Sequence, residues 1–219
     1  MASQTVENYL KCIFSLEKEG KKGVSTNAIA ERLETQAPSV TDMLKKLSAK
    51  GLVNYKKYQG ASLTEEGRRI AVDIIRRHRL WEVFLVEKLD FGWDEVHEVA
   101  EELEHIESDQ LIKRLDAFLG HPALDPHGDP IPDAEGIFRD KRKKVSVLSM
   151  EKGMSGVVVG VNDTSVEFLQ YLDSIGLALG YRIEVLERYS FDQSMKIQAE
   201  SQELQISQQV ARNLLILQS

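Results

Sequence analysis

The sequence predicts a mainly helical protein with a small β content, opening on a winged helix-turn-helix and ending in a β-rich module. Three observations carry this. Apolar residues recur at helical spacing from Val6 to Phe118, broken by a short strand-turn-strand pattern near 52–63. Four of the five prolines fall between Pro122 and Pro132, which marks a boundary. Beyond it, β-branched runs such as Gly156-Val157-Val158-Val159-Gly160-Val161 take over.

The 219 residues, 42% hydrophobic and 29% charged with only 14 Gly and 5 Pro, are those of a globular protein of one large or two to three small domains, and exclude collagen-like and low-complexity classes. No apolar run approaches the ~18 residues of a membrane span. The stretch Met1–Glu7 has neither a basic segment nor an apolar core, so the protein is expected in the cytoplasm with no membrane partner. Cys12 is the single cysteine, so no internal disulfide forms, and a metal site must come mainly from His, Asp and Glu.

In the first helix Val6, Leu10, Ile13, Phe14 and Leu16 lie on or near one face. A second, short helix starts after the capping Ser25 and ends near Leu33. The third runs from about Pro38 to Lys50 with Val40, Met43, Leu44 and Leu47 as its stripe, and Gly51 ends it. Leu52–Tyr58, Gln59-Gly60 and Ala61–Leu63 read as strand, turn and strand, and Thr64-Glu65-Glu66-Gly67-Arg68 opens another helix. A short helix, a tight turn and a second helix with polar residues at its leading edge is the plan whose second helix enters a DNA major groove, with the hairpin as wing. The expected DNA contacts are Thr26, Gln36, Ala37, Pro38, Ser39, Thr41, Asp42, Lys45 and Lys46 on the helices, and Lys56, Lys57 and Tyr58 in the wing. Such modules also serve as protein docking surfaces, but the charge distribution favours DNA. Residues 1–80 carry a net charge of +6, residues 81–135 carry −13, and the remainder balances.

The acidic block reads as two helices, about Ile70 to Leu89 and about Asp94 to Phe118. His78 and Glu82 share a face of the first. On the second, His97, Glu101, Glu104 and His105 fall at about 0°, 40°, −20° and 80°, one stripe of four ligand types. Imidazole with carboxylate suits Mn²⁺, Fe²⁺ or Zn²⁺. A zinc-protease helix is disfavoured because the second His of its motif is Glu101, and a di-iron bundle because Glu102-Leu103-Glu104-His105 occurs once. Glu98, Glu102 and Glu107 read as a solvated face.

The chain resembles the diphtheria toxin repressor family of metal-dependent transcriptional regulators, especially its manganese-responsive branch. The likeness rests on Glu7-Asn8-Tyr9-Leu10, Ala37-Pro38-Ser39-Val40-Thr41, His78-Arg79-Leu80-Trp81-Glu82, His97, Glu101–His105 and the turn Asp125–Pro132, in that order and spacing. It implies a winged helix at 1–72, a helical dimerisation and metal-sensing domain at 73–137, a basic linker from Phe138 to Lys144, and an SH3-like domain at 145–219. A proline-peptide module there would need an aromatic groove that the sequence does not supply. The resemblance further implies a homodimeric, non-enzymatic repressor of metal-uptake genes that binds double-stranded operator DNA, takes no small organic substrate, and holds Mn²⁺ or Fe²⁺ at two sites per chain. Asn8, Glu101, Glu104 and His105 match the primary site, with His78 close by. Glu82, His97, Asp125, His127 and Glu167 form the pool for an ancillary site. Two departures stand out. Position 101, Cys in iron-type members, is Glu, which hardens the site towards Mn²⁺. Position 8 is a neutral Asn. Two-metal members also use Glu at the position of Lys11, a role a charged lysine cannot serve. The rival readings are a metallohydrolase or metal-storage protein, which predicts turnover or more than two ions per chain, and a metal-independent winged-helix regulator, which a chelator would leave unaffected.

Overall fold

The computed structural model describes residues 3–18, 23–57, 59–139 and 142–218. The chain packs as two compact units, one of residues 1–78, 101–112 and 132–137, the other of 79–100, 113–131 and 138–219. The helical segment expected at 73–137 thereby contributes to both. No helix among the described residues is long and apolar enough to cross a membrane.

The first unit begins with α1 (Gln4–Lys18), α2 (Thr26–Arg32), α3 (Ala37–Ala49), a hairpin of β1 (Val53–Lys56) and β2 (Gly60–Leu63), and the start of α4 (Glu65–Leu89). Helix α1 buries Val6, Leu10, Ile13 and Phe14, the i, i+4, i+7, i+8 pattern of one face. Ser25 caps α2 from an extended conformation, its Oγ accepting the Ala28 N–H at 3.1 Å. Pro38 sits in the first turn of α3, which buries Val40, Leu44 and Leu47. The hairpin is antiparallel with Val53 opposite Leu63 and Lys56 opposite Gly60. Val24 adds a bridge to Ala61 that the sequence pattern does not signal. Gly60 has φ +88, and a Cβ there would stand 2.7 Å from the Val24 carbonyl oxygen, so the wing turns at a glycine for steric as well as conformational reasons.

The helix expected from Asp94 to Phe118 is two helices, α5 (Val96–Leu103) and α6 (Asp109–Phe118). Ser108 accounts for the break. Its Oγ accepts the Leu111 N–H at 3.3 Å and its carbonyl the Ile112 N–H at 3.0 Å, which starts a fresh helix with Asp109 in the favourable first turn. Glu104 and His105 therefore sit in a turn, and the stripe expected to carry them ends at Leu103.

In the second unit, β3 (Val145–Ser146), β4 (Ser155–Val161), β5 (Arg182–Arg188), β6 (Met195–Ala199), β7 (Gln202–Ile206) and β8 (Leu214–Gln218) form an antiparallel sheet in the order β3-β8-β4-β5-β6-β7. Helices α7 (Val166–Ser174) and α8 (Gln208–Asn213) complete the module. Its core gathers Val158, Leu169, Leu172, Ile183, Val185, Ile197, Ile206 and Ile216. The strands near 156–161 and 181–186 and the helix between them follow the sequence reading. β6, β7, α8 and β8 were not part of it.

Leu44, fully buried in α3, and Ser25, the exposed cap of α2, separate core from local contributions. Leu44→Ala should cost about 2–5 kcal/mol in chemical denaturation and Ser25→Ala only about 1 kcal/mol. Equal losses would mean that α3 is not seated in the core as described.

Candidate metal centre

Among the described residues, each unit gathers a cluster of ligand-type side chains. In the first unit, α1 brings Glu7 and Lys11 against Arg77 and His78 of α4 and the Glu101–His105 segment. Glu104 is fully buried. Lys11 Nζ donates to both of its oxygens, at 2.7 and 2.8 Å, and to Glu101 Oε1 at 2.5 Å. His78 Nδ1 lies 2.7 Å from Glu104 Oε2. Glu7, also buried, accepts from Arg77 at 3.2 Å and from His105 Nδ1 at 2.5 Å. A histidine that donates from Nδ1 keeps its lone pair on Nε2, and that atom faces Glu104 Oε1 at 3.8 Å. His105 is thus oriented as a ligand by Glu7, a residue that sequence reasoning missed. Asn8 Oδ1 is buried without a hydrogen-bond donor.

The second cluster is in the other unit and, among the described residues, contains no lysine. Glu82, Asp125 and His127 are buried and each presents a ligand atom within 4.8 Å of the others. The turn after Pro122 builds it. Asp125 Oδ1 accepts the backbone N–H groups of His127 and Asp129, each at 2.9 Å, so one carboxylate oxygen holds the turn while Oδ2 stays available, 3.3 Å from Arg79 Nε. His127 Nε2 donates to the Trp93 carbonyl at 2.7 Å, which directs Nδ1 to Glu82 Oε1, 3.7 Å away. Trp93 also stacks on the imidazole, their rings 12° from parallel. Burial, and then the facing Glu82 carboxylate, push Asp125 up to about 7 against the pull of Arg79. Burial works against a charged His127, but Glu82 and Asp125, together with the Trp93 carbonyl, outweigh it and raise its pKa. That donor set, two hard carboxylates and an oriented imidazole, fits a divalent cation.

Of the other expected ligands, His97 reaches Glu82 Oε1 at 3.4 Å from a half-exposed position. Glu167, exposed in the first turn of α7, is not in this cluster. On the DNA-reading side, Gln36, Pro38, Ser39, Asp42, Lys45 and Lys46 are exposed, while Thr26, Ala37 and Thr41 are half-buried. Thr41 donates its hydroxyl to the Ala37 carbonyl at 3.0 Å, so it can meet a base as an acceptor or through its methyl. Asp42 pairs with Lys45 at 3.1 Å. Lys56 and Lys57 are exposed at the wing, and Tyr58 lies outside the described residues.

Comparison with known proteins accounts for these parts together. Residues 1–61 match the iron dependent repressor N-terminal DNA binding domain, 64–133 the iron dependent repressor metal binding and dimerisation domain, and 145–217 the FeoA domain. The diphtheria toxin repressor of Corynebacterium efficiens is 30% identical over 191 residues, 83% of each chain. The chain belongs to the diphtheria toxin repressor family. Within this family, the iron-dependent repressor IdeR of Mycobacterium tuberculosis is 38% identical over 128 residues, 58% of this chain. The chain spans about half the length of that relative, 55%. A manganese-dependent transcriptional repressor solved in complex with manganese superposes with a TM-score of 0.88 at 36% identity, covering 98% of this chain and 100% of the other. The manganese regulator SloR gives 0.78 at 33% identity, with 98% of each chain covered.

This family member seats its Asp125–Asp129 turn against β4 through Gly128, which has φ +84 and leaves room for no side chain: a Cβ would lie 1.8 Å from the Val159 carbonyl oxygen. Gly153 shares the conformation, φ +82, but faces open space. Gly153→Ala should cost about 1–3 kcal/mol from strain alone. Gly128→Ala should cost clearly more, read as a larger drop in melting temperature. Equal drops would remove the close approach from the account.

Proposed function

We propose that this chain is a metal-responsive transcriptional repressor that binds double-stranded operator DNA as a homodimer and acts in the cytoplasm on metal-uptake genes. Residues 1–72 read DNA, 73–137 dimerise and bind metal, and 145–219 form the SH3-like module. The observation that carries the reading is the buried Glu82, Asp125 and His127 cluster, two carboxylates and an imidazole with ligand atoms within 4.8 Å of one another, in a chain that also presents an exposed helix-turn-helix. Two carboxylates and an imidazole are ligands for Mn²⁺ or Fe²⁺, and the manganese named for the two structural neighbours supports Mn²⁺. A bound divalent ion supplies positive charge between carboxylates that repel, and so favours whichever conformation brings them together. Asp125 fixes the turn and offers Oδ2, Glu82 faces it from α4, and Trp93 holds His127 in the tautomer that can ligate. Ser39, Gln36 and Thr41 read base edges, and Lys45, Lys46, Lys56 and Lys57 hold the phosphates. Two heads at a fixed spacing meet half-sites about one DNA turn, ~34 Å, apart.

The test uses a duplex selected from random sequence in the presence of Mn²⁺. Fluorescence anisotropy should show tight binding with Mn²⁺ or Fe²⁺ and little after chelation, and Asp125→Asn, which keeps the turn's acceptor, should abolish the response. Equal binding with and without chelator overturns the proposal. Raising salt from about 50 to about 200 mM should weaken the complex by roughly 10³ or more if ~6 phosphates are engaged.

The same duplex separates the two kinds of contact. Ser39→Ala should change which base pairs matter, whereas Lys56→Ala should weaken binding evenly across sequences. Uniform loss from both would misplace the reading edge.

A further inference from the structure

The cluster around Glu104 has the ligand types of a metal site, yet its central position is filled by an ammonium group. Lys11 Nζ makes contacts of 2.5, 2.7 and 2.8 Å to three carboxylate oxygens, matching the three protons it can donate. Glu104 is fully buried, so this is not a solvated surface pair, and its charge needs a permanent partner. The surrounding groups are arranged as they would be around an ion. His105 is oriented by Glu7 with Nε2 toward Glu104, and Arg77 holds Glu7 in turn. A divalent ion bridging Glu101 and Glu104 would have to share their oxygens with a positive charge that is covalently attached to α1.

We propose that Lys11 is a resident cation: it occupies the Glu101–Glu104 site in place of a divalent ion and ties α1 to the Glu101–His105 segment whether or not metal is present. Metal then enters the chain at Glu82, Asp125 and His127. The inference rests on the metal-responsive reading above and narrows it, because one half of the expected two-ion set becomes constitutive and the response is left to the other. It also gives Asn8 a different standing. With the ammonium supplying the charge, the site has no need of a ligand from position 8, and the Asn8 amide oxygen stays buried without a donor.

The experiment counts ions. Wild type, Lys11→Met, Lys11→Arg, Asp125→Asn and the Lys11→Met/Asp125→Asn double variant are titrated with Mn²⁺, and bound ion is read from loss of the free-ion electron paramagnetic resonance signal. Wild type and Lys11→Arg should take up one ion per chain, Asp125→Asn none, Lys11→Met two, and the double variant one. Lys11→Met should also melt at a lower temperature than wild type without metal and recover with Mn²⁺, since removing the ammonium takes from Glu104 its permanent cation until an ion replaces it.

Should Lys11→Met fail to fold even with Mn²⁺, Asp125→Asn decides alone, because its Lys11 site is untouched. Uptake of an ion by Asp125→Asn as tightly as by wild type overturns the inference and leaves the metal-responsive reading standing. A double variant that folds but takes up no ion also overturns it, because the ammonium then covers no site. Absence of uptake by wild type removes the metal-responsive reading and the inference with it.

Discussion

A carboxylate without solvent must be matched by positive charge or protonated, and Glu104 is the carboxylate on which the organisation of the first unit turns. It lies in the turn between α5 and α6, where Ser108 interrupts what would otherwise be one helix. Lys11 and His78 converge on it from two other helices. Because Lys11 and Glu7 are one turn apart on α1, that helix is held by opposite charges at adjacent levels, the lysine on Glu101 and Glu104, the glutamate on Arg77 and His105. The same α1 buries Leu10 and Ile13 in the core shared with α2 and the hairpin. Electrostatics at one end of the helix and apolar packing along it therefore position the DNA-reading elements together.

The two clusters solve one problem differently. In the first, the excess negative charge is met by a side chain. In the second, Arg79 stands 3.3 Å from Asp125, yet burial and the facing Glu82 carboxylate hold that carboxyl up at about 7. Under the inference above, an internal cation is always present at the first cluster, whereas the second is left to an added one.

Much of this was legible in the sequence, for physical reasons that differ by element. The helices α1 to α3 and the wing follow from strong 3.6-residue periodicity, the Ser25 cap, Pro38 and Gly51, all local signals. The break at 104–108 was hidden because Ser108-Asp109 sits inside a run whose apolar spacing continues across it. β6 and β7 alternate with Lys and Gln on the open face, and Leu214–Gln218 follows α8 without a turn signal. In the metal clusters, Glu82, Asp125 and His127 were named through resemblance, but their convergence depends on Trp93 and the Asp125–Asp129 turn. Glu7 enters the sequence reading only within the string Glu7-Asn8-Tyr9-Leu10; its partners Arg77 and His105 lie 70 and 98 positions away, beyond any local signal. That a charged lysine cannot ligate is legible at position 11 from its residue type alone; the three carboxylate oxygens it meets are not.

The contacts of Lys11 have a consequence at the level of heredity. Lysine and glutamate codons differ by a single base, so the side chain at this position can pass from ammonium to carboxylate in one mutational step. The pocket around it would then present a further carboxylate beside His105 and Glu104. Under the inference above, a lineage carrying this fold can exchange an internal cation for an added ligand at this position, and back, in a single mutational step.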